Sequence, residues 1–264
     1  MFRKRREQAL GIELKTKEDI AQLRIAGRLV AEAFDILGEA IHPGVKLSEL
    51  DKLAADFIEK NNAQAIYKGY RLYPDQPPFP GVITASVNDQ ICHGLPNGRV
   101  LKEGDIVGID IGLSYQGWCG DACITYPVGN ITSAVQRLLD ITKESLNMGI
   151  RAAQPGNHLS DIGAAIQNFA ERQGYSVVRD WGGHGVGRNL HEAPHVPHIG
   201  PGGRGPRLRA GMVIAIEPMI NIGRPDYKLL DDHWTVVTAD GSLSAQYEHT
   251  IAITEEGPVI LSVK

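Results

Sequence analysis

One stretch of this chain is repeated in its second half, and the repeat limits the folds that the chain can adopt. Residues 101–110 and 208–217 share a leading leucine, a basic residue, a glycine, an apolar run and a terminal acid. The terminal acids are Asp110 and Glu217. Because each acid closes an apolar run, we predict two equivalent strands that end in a carboxylate.

A second repeat occurs in the same order along the chain. Residues 43–50 and 155–162 both begin with Pro-Gly and continue with similar polar and apolar residues. Two repeats in one order indicate two related halves, each with a helix entered at Pro-Gly and a strand that ends in an acid. If the halves pack about a pseudo-twofold axis, Asp110 and Glu217 face each other across it.

Five residues of metal-binding type lie in predicted strands or at strand edges, where apolar neighbours would bury them: Asp110, Asp121, His184, Glu217 and Glu248. Burying an unpaired ionised carboxylate costs many kcal/mol, so the four acids together predict a compensating cation. A single zinc ion needs only three or four protein ligands and prefers nitrogen and sulfur. Four carboxylates and one imidazole instead suit two harder divalent ions that share bridging carboxylates.

The composition narrows the class of protein. A chain of 264 residues with 42% hydrophobic residues can form one large domain with an ample core. The formal charge of −4 gives no reason to expect a nucleic-acid-binding or membrane-binding surface on the body of the protein. The apolar runs are shorter than the ~20 residues of a membrane-spanning helix. An odd number of cysteines, three, favours reduced thiols and a cytoplasmic location.

Residues 1–15 are predicted to form a basic arm, and residues 16–264 a single domain. Positions 3–6 of the arm are all lysine or arginine, and few apolar residues accompany them. We interpret the arm as a solvated tail, with an electrostatic contact to RNA as the alternative. We expect the protein to be a monomer.

Periodicity and turn signals predict the secondary structure. Apolar residues at every third or fourth position predict helices over residues 16–38, 48–61, 132–151 and 158–173. β-rich segments predict a strand over residues 82–87, a hairpin of residues 105–113 with 122–128, and a last hairpin of residues 234–238 with 245–254. The Pro- and Tyr-rich residues 67–80 cannot form a helix and are predicted to form a pocket rim, with a partner-binding groove as the alternative.

Histidines and glycines concentrate in residues 181–198. Glycines flank His184 on both sides, which excludes a helix there and allows the backbone to approach a ligand closely. His195 and His198 are predicted to lie on the surface and not to bind metal.

Five short motifs occur in one order along the chain: Cys92-His93-Gly94, Asp110 with Asp121, Gly183-His184-Gly185 with His191, Ile216-Glu217-Pro218-Met219, and Glu248-His249-Thr250. In order, spacing and residue type these motifs resemble those of the type I methionine aminopeptidases, members of the pita-bread metallopeptidase superfamily. The resemblance covers nearly the whole chain from about residue 12. It implies an α+β fold, the pita-bread fold, with pseudo-twofold αβ halves and a central antiparallel sheet covered by helices.

The resemblance also implies a function and a metal site. The function is removal of the initiator methionine from new polypeptides, with preference for a small second residue, by a hydroxide that bridges two divalent ions of cobalt, manganese, iron or zinc. Asp110 and Asp121 would bind one ion, and His184 and Glu217 the other. Asp121 and Glu248 would bridge the two ions.

Further residues receive roles in catalysis and substrate binding. His93 and His191 resemble the histidines that contact the substrate, and they can hydrogen-bond the scissile carbonyl as charge develops on it. Glu217 can carry a proton from the water to the leaving amine. The resemblance implies a methionine pocket formed by Tyr70, Tyr73, Thr84, Leu190 and Trp234. Thr84 stands where relatives have a cysteine, and Leu190 stands where they have an aromatic residue.

Two other functions remain open at this point. A proline-specific relative, such as prolidase or aminopeptidase P, generally has a large extra N-terminal domain, for which we expect no room in this chain. A binding module that kept the fold and lost the chemistry would not need all five metal-binding residues and both histidines, and all are present. We therefore predict an enzyme that acts on methionyl peptides and nascent chains, with a transient ribosome contact.

Overall fold

The computed structural model describes residues 11–264, which form a curled antiparallel sheet with helices packed against it. These helices are α1 (Lys17–Ala40), α2 (Leu47–Lys60), α3 (Ser133–Ala152) and α4 (Leu159–Arg172). The helices confirm the predicted segments. The first begins where predicted because Thr16 Oγ1 accepts a hydrogen bond from the Asp19 N–H at 3.1 Å, and the Asp19 carboxylate accepts one from the Thr16 N–H at 2.9 Å.

Most strands belong to one large sheet. In chain order the strands are β1 (Gln64–Ala65), β2 (Ile83–Val87), β3 (Gln90–Cys92), β4 (Ile106–Tyr115), β5 (Trp118–Pro127), β6 (Ser176–Val177), β7 (Gly182–Gly185), β8 (Glu192–Pro197), β9 (Val213–Ile216), β10 (Met219–Asn221), β11 (Tyr227–Leu229), β12 (Val236–Thr238), β13 (Ser244–Gln246), β14 (Glu248–Thr254) and β15 (Gly257–Ile260). The large sheet has the order β1-β4-β5-β14-β9-β7-β8, with β2 beside β4 and β15 beside β14. Two small sheets have the orders β13-β10-β6 and β11-β12-β3.

The two halves are related as the repeats predict. The same hydrogen bond joins equivalent residues in each half, from Gly44 N to Leu101 O and from Gly156 N to Leu208 O, both at 2.8 Å. In the large sheet, the repeated strands β4 and β9 lie on either side of the central pair β5 and β14. The pseudo-twofold relation between the halves is therefore confirmed.

Each half has its own hydrophobic core. Apolar residues of α1 and α2 pack against β2 and β4 in the first half, and those of α3 and α4 pack against β9 and β14 in the second. Side chains alternate along a strand, so Ile109 and Ile111 of β4 enter the first core while Asp110 between them faces the other side of the sheet. The helices thus cover one face and leave the other face for polar residues.

The predicted last hairpin is wrong. Residues 236–238 of β12 pair with β11 and β3, whereas β14 pairs with β5, β9 and β15. The chain does turn at Asp240, whose carboxylate accepts hydrogen bonds from the Arg224 N–H at 2.8 Å and the Ser242 N–H at 3.0 Å. This turn joins strands of different sheets, and a local turn signal carries no information about strand partners.

The first part of the chain that the structure describes packs against the rest of the protein. Ile12 is 8% exposed and Lys15 is 5% exposed, although both fall within the predicted arm. The Lys15 N–H donates to Gly211 O at 2.7 Å. The basic positions 3–6 lie outside the described residues. None of the helices in residues 11–264 is long and apolar enough to cross a membrane.

Candidate metal centre and substrate cavity

Strand register brings three carboxylates to one face of the large sheet. Asp110 of β4 and Glu248 of β14 both lie opposite Cys123 of β5, so these side chains point the same way. Asp121 lies two residues before Cys123 on β5. Side chains two residues apart on a strand point to the same side of the sheet, so Asp121 shares that face. The predicted hairpin of β4 and β5 is confirmed, and its strands extend further than predicted, so that Asp121 lies within β5.

Two further strands complete the cluster. Glu217 follows Ile216, which lies opposite His249 of β14, and this register places Glu217 beside Glu248. The Nε2 atom of His184 lies 3.5 Å from Asp121 Oδ2 and 3.6 Å from Glu217 Oε1. The structure therefore brings together all five residues of metal-binding type that the sequence singles out.

The glycines around His184 serve strand packing. A Cβ atom on Gly183 would collide with the Ala215 carbonyl of β9, and one on Gly185 would collide with the Ala193 carbonyl of β8. The glycines thus allow neighbouring strands to approach each other closely, whereas the sequence predicted a close approach to a ligand. This strand packing places the His184 ring beside the acid cluster.

The protonation of His184 is set by its surroundings. Its Nδ1 atom lies 3.0 Å from Gly185 O, a hydrogen-bond acceptor, so Nδ1 carries the proton and the Nε2 lone pair faces the carboxylates. Burial lowers the pKa of His184 to about 4. The side chain is therefore a neutral imidazole, the form that binds metal ions.

The acid cluster fits divalent cations. Burial raises the pKa of Asp110, Glu217 and Glu248 well above the ordinary range, and raises that of Asp121 to about 6. Within residues 11–264, Glu248 Oε1 is buried without a hydrogen-bond partner. Asp121, His184 and Glu248 each offer a ligand atom within 4.8 Å of the others. Cations would satisfy the orphaned oxygen and remove the cost of burying these charges.

Two neighbours of the cluster were not predicted from the sequence. The Tyr67 hydroxyl lies 2.5 Å from Asp110 Oδ1 and 2.8 Å from Asp121 Oδ1. Gln246 Nε2 donates to Glu217 Oε2 at 3.2 Å. Tyr67 opens the predicted rim segment and Gln246 lies two residues before Glu248, but no spacing rule assigns either one to a carboxylate.

His198 corrects a prediction. It is 1% exposed rather than on the surface, and its Nε2 atom accepts a hydrogen bond from the Glu217 N–H at 3.2 Å. Burial lowers the pKa of His198 to about 3, which keeps the ring neutral and able to accept this bond. His195 is exposed, as predicted.

An open cavity lies above the cluster. Apart from the five metal-binding residues, its lining is mainly aromatic or apolar, with two histidines: Tyr67, Tyr70, Leu72, Phe79, Thr84, His93, Leu190, His191 and Trp234. Tyr73 is 69% exposed and lies outside this lining. Leu72 and Phe79 come from the same Pro-rich segment, which does form a cavity wall.

The two cavity histidines are held differently. His93 has a left-handed backbone, with φ of 56°, and its ring lies 5.0 Å from the ring of Trp181 and 6.2 Å from that of Trp234. The Nδ1 atom of His191 lies 2.6 Å from the Tyr70 hydroxyl, and its ring centre lies 4.2 Å from that of His184. Burial lowers the pKa of His93 to about 4, and desolvation together with His184 lowers the pKa of His191 to about 4.

Comparison with known proteins identifies the family. The profile of Metallopeptidase family M24 matches residues 21–255. The chain belongs to metallopeptidase family M24. This metallopeptidase is 50% identical over 248 residues to methionine aminopeptidase 1 of Bacillus subtilis (strain 168), covering 94% of this chain and 98% of that protein.

Solved structures agree with this assignment. The metallopeptidase is similar to the crystal structure of methionine aminopeptidase from Rickettsia prowazekii, with a TM-score of 0.92 and 42% identity over 96% of this chain and 100% of that chain. Prolidase from Pyrococcus furiosus shares the fold at 23% identity, with a TM-score of 0.77 over 98% of this chain and 67% of that chain. The predicted pita-bread fold is confirmed, and membership of a metallopeptidase family together with the acid cluster supports binding of divalent metal.

Proposed function

We propose that this chain is a metal-dependent methionine aminopeptidase, which removes the N-terminal methionine from polypeptides. The observation that carries the proposal is the location of the acid cluster in a cavity whose remaining walls are mainly aromatic and apolar. Relatives that match over nearly their whole length are methionine aminopeptidases, and this supports the choice of substrate.

The cluster would hold two divalent ions. Asp110 and Asp121 are the proposed ligands of one ion, His184 and Glu217 of the other, and Asp121 and Glu248 bridge them. A set of four carboxylates and one neutral imidazole suits two divalent ions, and the donor chemistry admits cobalt, manganese, iron or zinc. When bound, the ions supply a water molecule acidic enough to attack a peptide carbonyl near neutral pH.

Protein side chains would position the substrate and move the proton. Glu217 is the proposed proton carrier from the water to the leaving amine, because its carboxylate lies in the acid cluster and lines the cavity. His93 and His191 are the proposed hydrogen-bond partners of the scissile carbonyl and of the charge that develops on it. Both rings line the cavity, which supports this role.

The methionine side chain would occupy the apolar part of the cavity. A flexible thioether suits a slot lined by aromatic and aliphatic groups. The proposed pocket contains residues from the sequence prediction together with two from the Pro-rich segment: Tyr70, Leu72, Phe79, Thr84, Leu190 and Trp234. Tyr73 remains a proposed contact for substrate residues outside the pocket, since its side chain is exposed.

The substrates would be nascent polypeptides with a small second residue, and the protein would act as a monomer in the cytoplasm. Three free, buried cysteines support a reducing compartment. The basic positions 3–6 would form a solvated tail, and a transient electrostatic contact with the ribosome is the alternative role.

Peptides that differ only in their first two residues test the function. With manganese, cobalt, iron or zinc present, we expect cleavage of Met-Ala and Met-Gly peptides and little cleavage of Met-Phe peptides. Equal cleavage of Leu-Ala and Met-Ala would reject methionine specificity. Cleavage of only an Ala-Pro peptide would favour a prolidase-like activity, and an inactive protein without bound metal would favour a binding module.

A further inference from the structure

A buried ion pair lies next to the cavity and is not explained by metal binding. Lys15 Nζ lies 2.8 Å from Glu192 Oε2, and the two side chains are 1% and 14% exposed. Lys15 also contacts Glu13 at 2.8 Å, but that carboxylate is 68% exposed. Burial alone would lower the pKa of Lys15, yet the hydrogen bonds to Glu13 and Glu192 outweigh it and raise the pKa. Lys15 is therefore a charged group held inside the protein by Glu192.

The other oxygen of Glu192 organises the turn before it. Glu192 Oε1 accepts a hydrogen bond from the Asn189 N–H at 3.0 Å. The carboxylate also fills the space beside Gly187, where a Cβ atom would lie 2.5 Å from both of its oxygens. Gly187 N in turn donates to Asn189 O at 3.2 Å. The turn of residues 187–192 is thus built around one carboxylate.

This turn presents two residues to the cavity. Leu190 is 7% exposed and lines the cavity wall, and His191 follows it directly. The position of the His191 ring is fixed further by the Tyr70 hydroxyl at 2.6 Å. A movement of the Glu192 carboxylate would therefore shift Leu190 and His191 together.

We propose that Lys15 is a positioning residue for His191, acting through Glu192 and the turn of residues 187–192. The inference rests on the proposed function, since it gives His191 a task in peptide cleavage. Without Lys15 the Glu192 carboxylate would keep its charge in a largely buried place with only amide partners, which is unfavourable. It would turn toward solvent and release the Asn189 N–H. Misplacement of a substrate-contacting group by about 1 Å can cost about 10²-fold in rate.

The first test is kinetic. Lys15→Met keeps the length of the side chain and removes its charge. At saturating metal, we expect it to lower kcat on a Met-Ala peptide by about 10–100-fold, with a smaller rise in KM because Leu190 moves with the turn. The matched control is Lys52→Met, which breaks an ion pair with Asp56 on the exposed face of α2 and should leave kcat unchanged.

Two double variants separate positioning from a general loss of structure. In a His191→Ala background, Lys15→Met should lower kcat by less than about twofold, because the residue it positions is gone. Adding Glu192→Gln to Lys15→Met removes the stranded charge and keeps an oxygen for the Asn189 N–H, so most of the kcat should return. Equal losses in both backgrounds, or no recovery with Glu192→Gln, would overturn the proposal.

A measurement without substrate keeps the two proposals distinguishable. Amide hydrogen exchange should rise in residues 187–192 of Lys15→Met and stay unchanged in α3 and α4. If the wild-type protein fails to cleave methionyl peptides, the proposed function is wrong, while faster exchange still supports the turn's dependence on Lys15. Unchanged exchange in an active enzyme would overturn the positioning role alone.

Discussion

Replacing Tyr67 by phenylalanine is the most direct test of how the acid cluster is oriented. The Tyr67 hydroxyl has one proton, yet it lies within 2.5 Å of Asp110 Oδ1 and 2.8 Å of Asp121 Oδ1. Phenylalanine keeps the buried ring and removes only the donor. The ring itself has little freedom, because a Cβ atom on Gly112 would lie 2.5 Å from its Cε1 atom. The perturbation is therefore confined to the orientation and charge of two proposed metal ligands.

The expected magnitude follows from that single proton. A hydrogen bond to a charged group contributes about 1.5–3 kcal/mol, and only one such bond can form at a time. At about 1.4 kcal/mol for each factor of ten, its loss corresponds to a decrease of about 10–150-fold in metal affinity. Groups that orient metal ligands usually contribute about 10–100-fold, which agrees with this figure. At saturating metal, kcat should change by less than about threefold, because Tyr67 does not carry a proton in the reaction.

Competition with a chelating dye measures the dissociation constant of the metal, and kinetics at saturating metal measure kcat. Tyr126→Phe is the matched control, since it removes a hydroxyl that donates to Phe34 O at 3.0 Å elsewhere on β5. It should lower stability by about 1 kcal/mol and leave metal affinity unchanged. A metal dissociation constant for Tyr67→Phe within threefold of the wild-type value would refute the argument.

Three more perturbations probe the site. Glu217→Gln keeps the size of the side chain and removes its basic oxygen, so kcat should fall by about 10²–10⁴-fold without rescue by added metal; near-normal kcat with two ions bound would move the proton carrier to His93 or His191. Leu190→Phe narrows the pocket and should change KM for methionyl peptides more than kcat, and a large kcat loss at constant KM would instead mean that Leu190 positions His191. Metal affinity should fall as the pH is lowered, because burial raises the pKa of all four carboxyl groups in the metal-free protein and their protons must leave before ions bind. Affinity independent of pH between 5 and 7 in a chelator titration would contradict that protonation state.

The acid cluster was predictable because its residues lie next to apolar runs in the sequence. Asp110 and Glu217 each close an apolar run, and a carboxylate there needs a cation wherever the strand lies in the sheet. The repeats added the pairing of the two halves, since equivalent sequences form the equivalent hydrogen bonds of Gly44 and Gly156. Both signals are local in sequence, and neither depends on knowing which strands are neighbours.

The missed features all depend on contacts between distant segments. The turn at Asp240 is real, but β12 pairs with β3, far back in the chain. His198 has prolines nearby that suggest a surface loop, yet its ring is buried against the Glu217 N–H. Lys15 looks like the end of a basic arm until its partner Glu192, from the other half of the chain, is known. Side-chain pairings of this kind leave no periodic signature in either segment.

Because the proposed metal ligands are divided between the two halves, bound metal would also stabilise the contact between the halves. The first half contributes Asp110 and Asp121, and the second contributes His184, Glu217 and Glu248. The ladder between β5 and β14, where the halves meet, has only two residue pairs, whereas the hairpin of β4 and β5 has ten. Ions shared by Asp121 and Glu248 would stabilise this short contact between the halves. They would add about 2.7 kcal/mol to the free energy of unfolding when metal is present at 100 times its dissociation constant. In a cell that lacks metal, β5 and β14 would separate more often, and proteases would then degrade an enzyme that had already lost its activity.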